Sequence, residues 1–120
     1  MGAYGGQGRR VLVCDDERHI VRLLQINLER LGYTVTCAFD GDEAVKLLED
    51  SEFDQLILDV MMPRMDGFEV LKWIRTHEQT RHLWVTLMTA KAQDRILFQG
   101  YLYQPDRYLA KPFKPQDLFQ

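Results

Sequence analysis

Long hydrophobic runs are missing from this sequence. Nowhere do about 18 apolar residues follow one another, so no segment reads as a membrane-spanning helix. Residues 1–8 are rich in glycine and lack the apolar stretch of a secretion signal. Cysteine is scarce: Cys14 and Cys37 are the only two, too few for a disulfide scaffold and suited to a reducing cytoplasm. Excess basic charge is absent as well. The formal net charge of −3 argues against direct, sequence-independent binding to nucleic acid, which needs a basic footprint. What remains is a chain of 120 residues with 46% hydrophobic and 28% charged residues, a balance that excludes wholesale disorder. That length suits one domain.

The opening glycines do not make a nucleotide-binding loop. Such a fingerprint needs a strand before it and a helix after it, whereas here nothing precedes the glycines and a strand follows them. Residues 1–8 read as a flexible arm and residues 9–120 as the folded domain.

Five short apolar runs are separated by segments of helical period. The runs are Val11-Leu12-Val13-Cys14, Thr34-Val35-Thr36-Cys37-Ala38, Leu56-Ile57-Leu58, residues 83–88 and Arg107-Tyr108-Leu109-Ala110. The first, third and fourth are almost continuously apolar, as central parallel strands buried on both faces should be. The second and fifth carry polar residues and suit the edges. Between the first two runs, Ile20, Leu24, Leu28 and Leu31 fall at helical spacing opposite Arg18, Arg22, Gln25 and Glu29, and Gly32 follows as a left-handed cap. A second helix is predicted over residues 42–49 after the Asp40-Gly41 turn. A third is expected to open at Asp66-Gly67 with Asp66 as its N-cap, and to bury Phe68, Leu71 and Ile74. Gly100 interrupts a fourth candidate over residues 93–103, and Pro115 opens a fifth that Gln120 cuts short.

Alternating strands and helices define an α/β doubly wound fold, a five-stranded parallel sheet with helices on both faces and right-handed crossovers. The flavodoxin-like strand order 2-1-3-4-5 places the second and fifth strands at the edges. In such sheets, ligands bind at the carboxyl ends of the strands, beside the switch point between strands 1 and 3. Asp15, Asp16 and Glu17 follow the first strand, Asp59 the third, Thr89 the fourth and Lys111 the fifth. Gathered carboxylates repel one another unless a counter-charge is present. Oxygen ligands without neighbouring histidine or cysteine favour Mg²⁺. Helix capping could account for Asp16 or Glu17. It does not account for Asp59, which ends an apolar strand well before the helix at Gly67. An aspartate can act as a nucleophile toward phosphorus, and phosphoryl transfer needs little more than positioning and neutralised charge. Lys111 and the Thr89 hydroxyl can face the phosphoryl oxygens. Lys111 precedes Pro112, and a cis bond there would turn the lysine inward.

These residues resemble the response-regulator receiver domain, the CheY-like module of two-component signalling. The likeness rests on Val11-Leu12-Val13-Cys14-Asp15-Asp16-Glu17, on Leu56-Ile57-Leu58-Asp59-Val60-Met61-Met62-Pro63-Arg64-Met65-Asp66-Gly67, on Met88-Thr89-Ala90 and on Tyr108-Leu109-Ala110-Lys111-Pro112-Phe113. The resemblance implies that Asp59 receives a phosphoryl group from a sensor histidine kinase. It implies that Mg²⁺ is held by Asp16, by Asp15 through water, by Asp59 and by the Met61 backbone carbonyl. It makes Thr89 and Tyr108 a conformational switch, and places Met61 and Lys91 where they tune the approach of water. It further implies an output domain after this segment, a homodimer through the face made by the fourth helix, fifth strand and fifth helix, and no turnover of an external substrate.

Two features depart from the family pattern. Gln104-Pro105 stands where a glycine-alanine pair is usual before the fifth strand, and the fifth helix is cut short, which suggests a piece of a longer protein. A phosphorylation-independent interaction scaffold is the alternative function. A phosphohydrolase with an aspartyl nucleophile would need a second acid where Met61 stands. His19, His77 and His82 lack metal-ligand spacing and read as surface residues. Cys14 reads as a small core residue, with Cys37 a neighbour on the adjoining strand. Trp73 and Trp84 are expected to pack against the sheet, and Glu69 and Lys72 to form an i,i+3 surface pair.

Overall fold

The computed structural model describes residues 8–90 and 101–119. Its strands are β1 (Arg10–Cys14), β2 (Thr34–Ala38), β3 (Gln55–Asp59), β4 (Trp84–Thr89) and β5 (Arg107–Ala110), all parallel, in the order β2-β1-β3-β4-β5. The helices are α1 (Arg18–Arg30), α2 (Gly41–Asp50) and α3 (Gly67–Thr76), and Pro115–Phe119 forms a 3-10 turn. The strand order and the edge positions of β2 and β5 agree with the sequence expectation. The fourth-helix candidate falls largely on residues 91–100, and the arm on residues 1–7. Both lie outside the described residues, as does Lys91.

Period-two alternation along the strands feeds two cores. Leu12, Cys14, Leu56, Leu58, Val85 and Leu87 face α2 and α3, where Ala44, Leu48, Val70, Leu71 and Ile74 meet them. Val11, Val13, Ile57, Met88 and Leu109 face the other way, against Val21, Leu24 and Leu28 of α1. A sheet buried on both faces needs such near-continuous apolar strands.

Several side chains differ from the sequence expectation. The inner stripe of α1 runs through Val21, Leu24 and Leu28, with Ile20 and Leu31 only half-buried at its margins. In α3, Val70 joins Leu71 and Ile74 in the core, and Phe68 packs at its edge, edge-on to the Tyr101 ring. Trp84, expected against the sheet, is 49% exposed because it opens β4 at the rim of the sheet. Glu69 turns back to the Asp66 amide in a capping box rather than out to Lys72. Val13 stands opposite Cys37 and Cys14 opposite Ala38, so the two free thiols lie on opposite faces of the sheet. His19, His77 and His82 are exposed, as expected.

Asp40 caps α2 by accepting from the Glu43 amide at 2.8 Å. Gly32, with φ 94, ends α1 in the left-handed region, which glycine enters at no steric cost. Where Gln104-Pro105 replaces the usual glycine, the Arg75 guanidinium holds the chain. It donates to the carbonyls of Gln104, Arg81 and Leu83 and to the Asp106 carboxylate, at 2.7–3.0 Å. Asp106 in turn accepts from the Val85 amide at 2.7 Å, which fixes the entry to β5 beside β4. Among the described residues, no helix is long and apolar enough to cross a membrane.

Candidate metal and phosphoryl site

The carboxyl ends of β1, β3 and β5 meet at the crevice where the order of the sheet reverses. Asp15 follows β1 and is fully buried, and its amide donates to the Ala38 carbonyl at 3.2 Å. Asp59 is the last residue of β3 and only 4% exposed, while Asp16 is exposed. Carboxylate oxygens of Asp15, Asp16 and Asp59 lie within 4.8 Å of one another. Lys111 Nζ reaches across from the end of β5 to Asp15 Oδ2 at 2.7 Å, Asp59 Oδ1 at 3.1 Å and Glu17 Oε1 at 3.3 Å. The Lys111–Pro112 peptide is cis.

The electrostatics follow from burial and from like charge. Burial pushes the Asp59 carboxyl up to about 7; the neighbouring Asp15 adds to the rise, while the charge and hydrogen bond of Lys111 pull the other way. Burial likewise raises Asp15, against the pull of its hydrogen bond from Lys111. Burial alone would lower the Lys111 ammonium, but the hydrogen bond to Asp15 and the charges of Asp59 and Asp15 hold it above its usual range. Three carboxylates facing one ammonium leave an excess of negative charge, which a divalent cation balances. The donor set fits a hard cation: every candidate ligand is an oxygen. Asp15, Asp16 and Asp59 are the carboxylates that could hold such a cation.

Thr89 ends β4, is buried, and accepts from the Lys111 amide at 2.8 Å through its backbone carbonyl, so the hydroxyl-bearing and ammonium-bearing residues are tied together. Tyr108 is half-buried on β5 and packs against the core on the α2 and α3 side. Met61 lies just beyond Asp59 in the loop before α3, with its side chain 67% exposed. The fold therefore brings Asp15, Asp16, Asp59 and Lys111 together, with Thr89 beside them. It adds Glu17 as a third carboxylate on Lys111, a contact that residue order alone could not place. It also links Cys14, whose thiol donates to the Asp40 carbonyl at 3.3 Å and lies 3.5 Å from the Met62 sulfur. Burial raises that thiol well above its usual range, which makes it an inert core group.

A doubly wound sheet with an acidic cluster and a lysine at its switch point belongs to the class of α/β domains that bind ligands at the carboxyl ends of their strands. The family model described as "Response regulator receiver domain" matches residues 11–120, and the chain belongs to that family. The chain is 43% identical over 110 residues to the alkaline phosphatase synthesis transcriptional regulatory protein PhoP of Bacillus subtilis (strain 168), covering 92% of this chain and 45% of that protein. It is 38% identical over 109 residues to the transcriptional regulatory protein ResD of the same organism, covering 91% of this chain and 44% of that one. The chain thus spans less than half the length of these relatives. Among solved structures, the chemotaxis response regulator CheY4 of Vibrio cholerae superposes with a TM-score of 0.86 at 32% identity, covering 92% of both chains. The receiver domain of the sensor histidine kinase PA1611 of Pseudomonas aeruginosa, solved with a magnesium ion coordinated in its active site cleft, gives 0.84 at 32% identity, covering 92% of this chain and 91% of that one. The family is one of signalling domains rather than enzymes that turn over a substrate.

Proposed function

We propose that Asp59 is the phosphoacceptor of a Mg²⁺-dependent switch that takes its phosphoryl group from a histidine kinase. The observation that carries this reading is Lys111 lying within 3.1 Å of a buried Asp59 that ends its strand in an acidic cluster. A carboxylate oxygen of Asp59 attacks phosphorus as the phosphorus–nitrogen bond of phosphohistidine breaks, and that electron pair returns to the imidazole. Bound by Asp15, Asp16, Asp59 and the Met61 backbone carbonyl, Mg²⁺ would neutralise phosphoryl charge and favour ionised Asp59. Lys111 holds the remaining phosphoryl oxygens by a charge-assisted contact, and the Thr89 hydroxyl donates to one of them. Because Lys111 is tied to Thr89 through the β4–β5 ladder, movement of Thr89 toward the phosphoryl group is transmitted to β5, where the Tyr108 ring follows inward. The phosphoryl group biases two states through contacts made in only one of them.

The relatives named as transcriptional regulators are more than twice as long as the matched segment. That supports an output domain after residues 9–120, controlled from the face around β5, which would also serve a homodimer. It also supports a cytoplasmic setting. An interaction scaffold that never accepts phosphoryl is the weaker reading, since Asp15, Asp16, Asp59, Thr89 and Lys111 are all present and converge. The test is incubation with Mg²⁺ and a small acyl phosphate, followed by intact mass. One phosphoryl adduct is expected on the parent and none on Asp59→Asn; an equal adduct on both, or none on the parent, would overturn the assignment.

A further inference from the structure

The loop between Asp59 and α3 contains Arg64, the one non-glycine residue with positive φ among the described residues, at 64°. A long side chain in the left-handed region is disfavoured, so neighbouring contacts must hold that backbone in place. Four contacts do so, and all lead to one place. Arg64 Nη2 donates to Asp40 Oδ2 at 2.8 Å, and its Nε faces Asp42 at 3.6 Å. A Cβ on Gly41 would stand 2.4 Å from the Met65 carbonyl oxygen, so the loop is seated on the first residue of α2 at a distance only glycine permits. Met62, buried, meets the Cys14 thiol, which itself donates to the Asp40 carbonyl.

Asp40 thus joins the two chain segments that carry the acidic cluster. Its backbone is tied to the residue before Asp15, and its side chain to the loop after Asp59. Met62, Arg64 and Met65 are pinned while Met61 between them and Asp59 points outward. We infer that the Asp40–Arg64 ion pair is a positioning pair for the site: it holds the loop so that the Met61 carbonyl and Asp59 stand ready for a divalent cation. The inference rests on the phosphoacceptor reading for the identity of that cation. Gly41 and Met65 supply the seat, and the ion pair keeps the strained residue in it.

The sign of the effect separates positioning from simple charge. Removing the Arg64 cation near an acidic cluster should, by charge alone, tighten cation binding. Loss of positioning should weaken it. Arg64→Gln, Arg64→Lys, Asp40→Asn and the double variant Asp40→Asn/Arg64→Gln are titrated with Mg²⁺ by calorimetry. Asparagine retains the cap on α2, so Asp40→Asn is expected to fold. Amide hydrogen exchange over residues 60–66 is measured without metal. Arg64→Gln and Asp40→Asn should each weaken Mg²⁺ binding about threefold, the size of an exposed ion pair, and the double variant should be no weaker than the worse single one. Arg64→Lys should recover most of the loss, and exchange over the loop should quicken in the two neutral variants. Unchanged or tighter binding by Arg64→Gln would overturn the inference while leaving the phosphoacceptor reading intact. A parent protein that takes up no Mg²⁺ would remove both.

Discussion

Lys111 Nζ lies closer to Asp15, at 2.7 Å, than to Asp59, at 3.1 Å. The lysine that would face a phosphoryl group on Asp59 is therefore held in the unmodified chain by the carboxylate beside it. Two consequences follow. Lys111→Ala leaves two buried carboxylates without their cation, and should lower metal-free stability near neutral pH by roughly 1–3 kcal/mol in urea unfolding. The same variant should still accept phosphoryl on Asp59 by intact mass, but show a weaker change in hydrogen exchange over β4 and β5. Full transmission of that change would remove Lys111 from the switch.

The raised Asp59 carboxyl makes the metal-free protein sensitive to pH. Its folded value of about 7 lies above the ordinary 3.8 of an exposed aspartate, so in this window the folded state binds more protons than the unfolded one. The resulting stabilisation is fully present below pH 3.8 and is lost as pH rises through about 7. Asp15, also raised, acts with the same sign. The Lys111 shift acts only at alkaline pH, above the ordinary lysine range. Between pH 5 and 8 without Mg²⁺, stability attributable to the site should fall, and Asp59→Asn should flatten that fall and exceed the parent in stability at pH 8. A parent-like slope in Asp59→Asn would assign the titration to another group.

Asp16 is exposed, unlike the other two members of the cluster. Asp16→Asn should change metal-free stability by no more than about 0.5 kcal/mol, as surface substitutions do. Millimolar Mg²⁺ should raise the unfolding midpoint of the parent, because a ligand that binds only the folded state stabilises it, and should raise that of Asp16→Asn much less. Equal Mg²⁺ responses would exclude Asp16 from the ligand set.

Gly67 sits where α3 begins against the end of β3. A Cβ there would lie 2.5 Å from the Asp59 carbonyl oxygen and 2.8 Å from Val60 Cα, both backbone atoms that cannot swing aside. Gly67→Ala should destabilise by about 1–3 kcal/mol in urea unfolding, as overpacking of a core does. A neutral effect would mean that α3 can retreat from Asp59 without cost.

Much of this architecture is legible in the residues because the signals are local. The strand order follows from alternation of apolar runs with helical segments, and β2 and β5 match their predicted bounds residue for residue. The Asp66 cap and the Gly32 turn also follow from side-chain chemistry close in sequence. Contacts between distant segments are different. That Arg75 would bind Gln104, Arg81, Leu83 and Asp106 depends on how α3, β4 and the approach to β5 converge, and no periodicity encodes it. The same holds for Arg64 on Asp40 and for Glu17 on Lys111. Trp84 misled because an apolar run does not say where its strand passes out of the core. Its first residue stands at the rim.

The central claim is that Asp59 forms an acyl phosphate, and chemical trapping tests it most directly. Borohydride reduces an aspartyl phosphate to homoserine and leaves free carboxylates unchanged, so peptide mass spectrometry after phosphorylation in Mg²⁺ reads out the modified residue. Reduction at Asp59, dependent on Mg²⁺ and lost in Lys111-intact Asp59→Asn, is the expected result. Reduction at another carboxylate, or none in a parent protein that has bound Mg²⁺, would contradict it.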